Sequence, residues 1–197
     1  MTDRPLHYQV SEYDCVPTTF LNAIVYLFDR REVPPLVIRH IHTYSLDTVS
    51  PGGRLGRAGT SKYATQLLGY WLGNYKTRKF SVQTEYLTEK NVHLRKGNPI
   101  LACLDEGGVA LCNVYLGHGE WHYLLGLYHD ATWLSFFDPY RRKLLRGLRS
   151  GARLLKSDEH PPANLAVRLD WLDQEDDRRY AFGSIEEREC LLMRRVR

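Results

Sequence analysis

Tyr8-Gln9-Val10-Ser11-Glu12-Tyr13-Asp14-Cys15-Val16-Pro17-Thr18-Thr19-Phe20 is the stretch from which the rest of the chain is read. It runs into an apolar segment, Phe20 to Phe28, that predicts a central helix, apolar nearly all round. Asp14 is placed to cap that helix, and Pro17 falls in its first turn, where a missing N–H costs nothing. Cys15 then stands at the helix N-terminus, where the positive end of the helix dipole favours thiolate over thiol. A lone cysteine is more often a small buried hydrophobe. Cys15 departs from that pattern because it precedes the apolar run and has polar neighbours. Gln9 carries an amide able to donate to an oxyanion, although an isolated glutamine is ordinarily a surface residue.

Outward from this stretch, residues 6–10 read as an extended lead-in and Leu36 to Tyr44 as a second helix. A glycine-rich loop, 50–61, leads to a third helix from Lys62 to about Tyr75, capped by Thr60 or Ser61. After residue 78 the pattern changes. Lys79 to Thr84 reads as a strand and Thr88 to Lys96 as a short helix. Ile100–Leu104, Val109–Tyr115, Trp121–Tyr128 and Thr132–Phe137 read as strands of an antiparallel meander, separated by Gly- and Asp-containing turns. Lys143 to Leu155 is ambiguous, and 156–162 is a surface loop. Asn164 to Leu169 and Glu189 to Val196 are again strand-like. Helices followed by an antiparallel sheet predict an α+β fold. The chain's 197 residues suffice for one domain with a substantial core and not comfortably for two. The expectation is a single domain over 1–197, helical from about 12 to 78 and sheet from about 79 to 197.

Net charge is +4 and spread along the chain. Basic clusters at 141–143, 146–153 and 194–197 alternate with leucines instead of stacking aromatics, so they read as solvated faces, not a nucleic-acid surface. No segment has the apolar length to span a bilayer, and the N-terminus lacks a secretory signal. A cytoplasmic location is expected, with no nucleic-acid or membrane partner. Cys15, Cys103, Cys112 and Cys190 include no Cys-x-x-Cys pair, and a disulfide framework is not expected. Cys103, Cys112, His118 and His122 are too widely spaced for a structural zinc knuckle, so no metal or cofactor is expected.

A thiol nucleophile needs a base. His122 heads the apolar strand Trp121-His122-Tyr123-Leu124-Leu125-Gly126-Leu127, and taken alone it would be an ordinary half-buried histidine. Asp138 ends the next strand. A hairpin turning at His129-Asp130-Ala131 would bring His122 and Asp138 level, within a register step. A carboxylate there can hold the imidazole tautomer, as the third member of a triad does. The backbone N–H of Cys15 is a natural second oxyanion donor beside Gln9, and such a donor is worth roughly 2.7–4 kcal/mol of transition-state stabilisation.

These residues resemble the papain-like cysteine peptidases, most closely the bacteriocin-processing branch, cysteine peptidase family thirty-nine, and its stand-alone relatives. The resemblance rests on Gln9-x5-Cys15, with Asp14 before the cysteine and Pro17-Thr18-Thr19 after it. It also rests on His122 heading an apolar strand, on Phe137-Asp138-Pro139 closing the next, and on Gly59-Thr60-Ser61 before the third helix. It covers about residues 8–140. It implies a papain-like fold, with Cys15 as nucleophile, His122 as general base and acid, Asp138 as orienter and Gln9 as oxyanion donor. The function expected is hydrolysis of a peptide or amide substrate through a thioester. An acyltransferase with the same triad and a non-catalytic binding module are the alternatives. The Cys-Gly-Ser-Cys-Trp signature of secreted papains is absent.

Overall fold

The computed structural model describes residues 5–145, 151–156 and 160–196. The order of elements is α1 (Cys15–Leu27), α2 (Pro35–Tyr44), α3 (Lys62–Asn74), β1 (Val82–Thr88), α4 (Pro99–Asp105), β2 (Val109–Gly117), β3 (Glu120–His129) and β4 (Trp133–Phe137). β5 (Ala152–Leu154), β6 (Leu165–Arg168), α5 (Leu169–Leu172) and β7 (Glu189–Arg195) follow. The class is α+β. The strands form one sheet in the order β1-β7-β2-β3-β4-β6-β5, with every neighbouring pair antiparallel. Among the described residues no helix is long and apolar enough to cross a membrane.

Both faces of the sheet are covered. α1, α2 and α3 bury Phe20, Ile24, Val37, Ile41 and Leu72 against the face that carries Val109, Leu111, Tyr123 and Leu125. On the other face α4 packs Ile100, Cys103 and Leu104 against Ala110, Cys112, Leu124 and Phe136. Strands buried on both sides read as continuous apolar runs, which is why β2 and β3 show little alternation. α3 lies close on β7 and β1 through two glycines one turn apart. A Cβ at Gly69 would meet Leu191 Cδ1 at 2.7 Å, and one at Gly73 would meet Thr84 Oγ1 at 2.4 Å.

Several expectations are corrected. Ile100–Leu104 is helix α4, not a strand: Asn98 accepts from Leu101 N at 2.8 Å as its N-cap, and Pro99 opens its first turn. β1 begins at Val82 and runs to Thr88, so the short helix expected from Thr88 is reduced to a 3-10 turn, Glu89–Asn91. Strand β7 inserts between β1 and β2, so the C-terminal segment supplies an inner strand of the sheet. The helices are not all N-terminal, since α4 and α5 follow residue 78. The cap expected at Thr60 or Ser61 is there as Ser61, which accepts from Ala64 N at 3.2 Å. The basic clusters are not simply solvated. Arg194 pairs with Glu106 at 2.7 Å, Arg195 with Glu32 at 2.7 Å, and Arg153 lies over the Trp133 ring. Residues 146–150, 157–159, 197 and the first four lie outside the described residues, and with them parts of the 146–153 and 194–197 clusters and of the 156–162 loop.

Candidate active site

Cys15 is the first residue of α1. The first N–H groups of a helix have no intrahelical acceptor, so the amides of Cys15 and Val16 are donors at the helix mouth, and Pro17 contributes none. Asp14 does not cap the helix as expected. Its carboxylate accepts from Ser11 N at 3.0 Å and from the Ser11 hydroxyl, which closes the loop before α1 instead. That leaves the helix N-terminus uncapped and facing the cleft. Thr19, buried one turn on, donates to Cys15 O at 2.6 Å and lies 3.3 Å from Tyr123 O. It ties the first turn of α1 to β3 beside His122.

The hairpin β2–β3 turns at His118 and Gly119, both at positive φ (54° and 76°), the pair a two-residue type I′ turn requires. His122 is therefore near the start of β3, at the end of the sheet next to α1. His122 and Asp138 are not level, as the sequence suggested. The β3–β4 turn centres later than expected, because Asp130 Oδ1 accepts from both Thr132 N and Trp133 N at 2.7 Å. A bulge then shifts the register between Gly126 and Tyr128. With Leu125 opposite Phe137, the next step sets Asp138 opposite Leu124, two residues from His122 on the same strand face. The diagonal is short enough: His122 Nε2 and Asp138 Oδ1 are 2.7 Å apart. This leaves His122 Nδ1 for the thiol.

The electrostatics of the three groups are mutual. Burial alone would push the Cys15 thiol up, but hydrogen bonding and charge from His122, with help from the backbone of Tyr123 and Val16, hold it below its ordinary value. Burial would lower His122, yet Asp138 and Cys15 outweigh it and raise the imidazole to about 9. Asp138, 2% exposed, is lowered despite burial by His122, Arg142 and the Tyr140 N–H. Together these favour thiolate, imidazolium and carboxylate.

Gln9 enters through the N-terminal segment. Asn22 on α1, fully buried, exchanges two 2.8 Å hydrogen bonds with the backbone of His7, and Gln9 N donates to Pro139 O at 2.8 Å. The lead-in strip is thus laced to both halves of the site. Gln9 Nε2 donates one N–H to Ser11 O at 2.8 Å, which leaves its second N–H uncommitted. Gln9, Cys15 and His122 line one cleft of about 880 Å³, bordered by Ala58, Gly59 and Thr60 of the glycine-rich loop. Tyr13 and Trp121 also line it, whereas Tyr63 faces a separate groove on α3. Cys103, Cys112 and Cys190 are buried outside this cleft. Among the described residues no group of three or more His, Cys, Asp or Glu is arranged to hold a metal ion.

Two supporting residues were not legible beforehand. Arg142 Nε donates to Asp138 Oδ2 at 2.6 Å, with its guanidinium near the Tyr140 and Tyr180 rings. It belongs to a cluster read as a solvated face, and its only sequence signal is the four-residue spacing from Asp138. Asn164 accepts from Asp138 N at 2.7 Å and donates to Asp138 O at 2.9 Å, from a loop 26 residues away. Asn164→Ala would leave both backbone groups unpaired, at a cost of about 1–3 kcal/mol. The expected result is a lower thermal midpoint together with slower alkylation of Cys15; an unchanged midpoint would count against this role for Asn164.

No protein-family model matches this chain, and no curated protein is significantly similar to it.

Proposed function

We propose that this protein is a thiol hydrolase, a cysteine peptidase or amidase with a papain-like fold over residues 1–197, acting through a thioester at Cys15. The observation that carries the proposal is the 2.7 Å pairing of His122 Nε2 with Asp138, which leaves the other ring nitrogen for a thiol held at a helix N-terminus. The Cys15 thiolate attacks the substrate carbonyl, a C–S bond forms, and the oxygen takes the negative charge. The Cys15 N–H and the free N–H of Gln9 stabilise that oxygen. Imidazolium gives its Nδ1 proton to the leaving nitrogen as the C–N bond breaks. Neutral His122 then takes a proton from water, which attacks the thioester; the C–S bond breaks, and thiolate and imidazolium are restored. Asp138 stays ionised throughout and fixes the imidazole plane.

The pH dependence tests this. Cys15 is lowered and His122 raised, so the ion pair exists between the depressed Cys15 value and about 9. Alkylation of Cys15 by limiting iodoacetamide should rise through an inflection below the ordinary 9.0 and stay high on the alkaline side. Peptide turnover needs the imidazolium proton too, so kcat/KM should rise on the same acid limb and fall through about pH 9. A single Cys15 alkylation inflection at or above 9.0 would sink the proposal. Turnover of peptide pools with and without an added amine separates hydrolysis from acyl transfer: product formation independent of the amine is expected.

A further inference from the structure

The cleft is lined by a carboxyl group that the acyl-transfer steps do not use. Glu189 opens β7, is only 6% exposed, and lines the same cleft as Cys15 and His122. Its Oε1 accepts from Asn113 Nδ2 at 3.0 Å and its Oε2 from the Tyr86 hydroxyl. A carboxylate offers about four acceptor positions; the buried Tyr123 hydroxyl also interacts with Glu189, so about one remains open. Among the described residues no Lys, Arg or His forms an ion pair with it. Burying a carboxylate without a counter-charge is unfavourable, and the sheet does so in the cleft that holds the thiol. Burial, and then Glu189 itself, push the Tyr86 phenol well above its ordinary range, so Tyr86 stays a donor to the carboxylate.

The surroundings favour a donor-bearing guest. Asn113 is 7% exposed and lines the cleft, and its Oδ1 has no hydrogen-bond partner. Glu12, Glu120, Arg179 and an Arg142 already engaged by Asp138 also line the cleft, and Arg179 Nε is buried without a hydrogen-bond partner among the described residues. Register places the group relative to the chemistry. Cys112 pairs with Cys190 and Asn113 with Tyr123, so Glu189, Asn113 and Tyr123 form a row across β7, β2 and β3 that ends at Tyr123, the chain neighbour of His122. Two strand spacings make that row roughly 10 Å long. This is within reach of one long side chain leaving a residue adjacent to the reacting carbonyl.

We infer that Glu189, oriented by Asn113 and Tyr86, is a specificity subsite for a cationic group of the substrate, a lysine or arginine side chain or another amine near the scissile bond. The inference rests on the cleft being the acyl-transfer site, and its test is arranged to read binding without turnover. The Cys15→Ala protein is titrated calorimetrically with blocked tripeptide amides that carry lysine, norleucine or glutamate at each of three positions, with glycine elsewhere. At one position the lysine peptide should bind about tenfold or more tighter than its norleucine counterpart, with glutamate the weakest. Adding Glu189→Gln should reduce the lysine advantage to about threefold or less. Equal binding of lysine and norleucine peptides at all positions, binding of neither, or a lysine advantage that survives Glu189→Gln overturns the subsite. The lysine–norleucine comparison is complete in Cys15→Ala alone, so it decides the matter even if the double variant fails to fold. Failure of the hydrolase proposal would register elsewhere, as slow and equal alkylation of the cysteines with the lysine preference intact.

Discussion

Replacing His122 by alanine should abolish the selective alkylation of Cys15 near pH 6 and cut kcat/KM on any turned-over peptide by a factor on the order of 10⁴–10⁶. Three effects are lost together: the charge that favours thiolate, the hydrogen bond to sulfur, and the proton for the leaving group. Burial acts on Cys15 in the opposite direction, and only the backbone of Tyr123 and Val16 is left to oppose it, so the thiol pKa should rise. At pH 6 the thiolate fraction should fall accordingly. The background is quiet, because Cys103 is pushed up to about 11 by burial, Cys190 is raised by burial and its Cys112 neighbour, and all three are buried. The variant should still fold, since Asp138 keeps Arg142 and the Tyr140 N–H as partners. Alkylation of His122→Ala at the wild-type rate would mean that the thiol is not activated by this imidazole.

The largest effect on stability is expected at Arg188. This side chain is 3% exposed and its five N–H donors are all used. They reach Gly183 O at 2.9 Å, Val92 O at 2.9 Å, Asp173 Oδ1 at 2.8 Å, Asp173 O at 3.0 Å and Gln174 O at 3.1 Å. One guanidinium thus joins the segment after β1, the end of α5 and the entry to β7. Arg188→Ala would strand those acceptors, Asp173 among them, and should cost about 3–5 kcal/mol. For a chain of this length that is a fall in Tm of roughly 6–20 °C. Arg188→Lys should recover only part of it, because an ammonium has three donors and no fork. Thermal unfolding followed by circular dichroism checks both, and a midpoint within a degree of wild type would show that water replaces these contacts freely. Because Glu189 follows directly, a surviving Arg188→Lys protein should also bind the lysine peptide more weakly.

How much of the site could be read in advance follows from how local each signal is. Cys15 before an apolar run, with Pro17 in the first turn, marks a helix N-terminus by spacing alone, and α1 does begin there. His122 and Asp138 were legible because a hairpin relates residues through a short turn. Their offset was not, since it depends on which carbonyls and carboxylates the turn at Asp130 engages and on a bulge. Ile100–Leu104 was misread because a short, fully apolar run fits a strand and a buried helix equally. The deciding signal, Asn98-Pro99 as cap and first residue, lay just outside the run. Arg142 and Asn164 carry no local signature, because what they do is defined by Asp138.

The sequence by itself determined the α+β class, the first three helices, the hairpins, and the residue types able to make a thiol reactive. Those are properties of periodicity, caps and turns, set within a dozen residues of chain. Only the tertiary structure decided that β7 lies between β1 and β2, that Asn22 and Asn164 lace the two halves of the site together, and that Glu189 lines the same cleft as the thiol. Strand order and buried polar partners depend on which backbone groups are left unsatisfied once the sheet has closed. They involve residues up to 168 positions apart, as between Leu27 and Arg195. At such separations no spacing rule operates, and packing and hydrogen-bond satisfaction choose the partner.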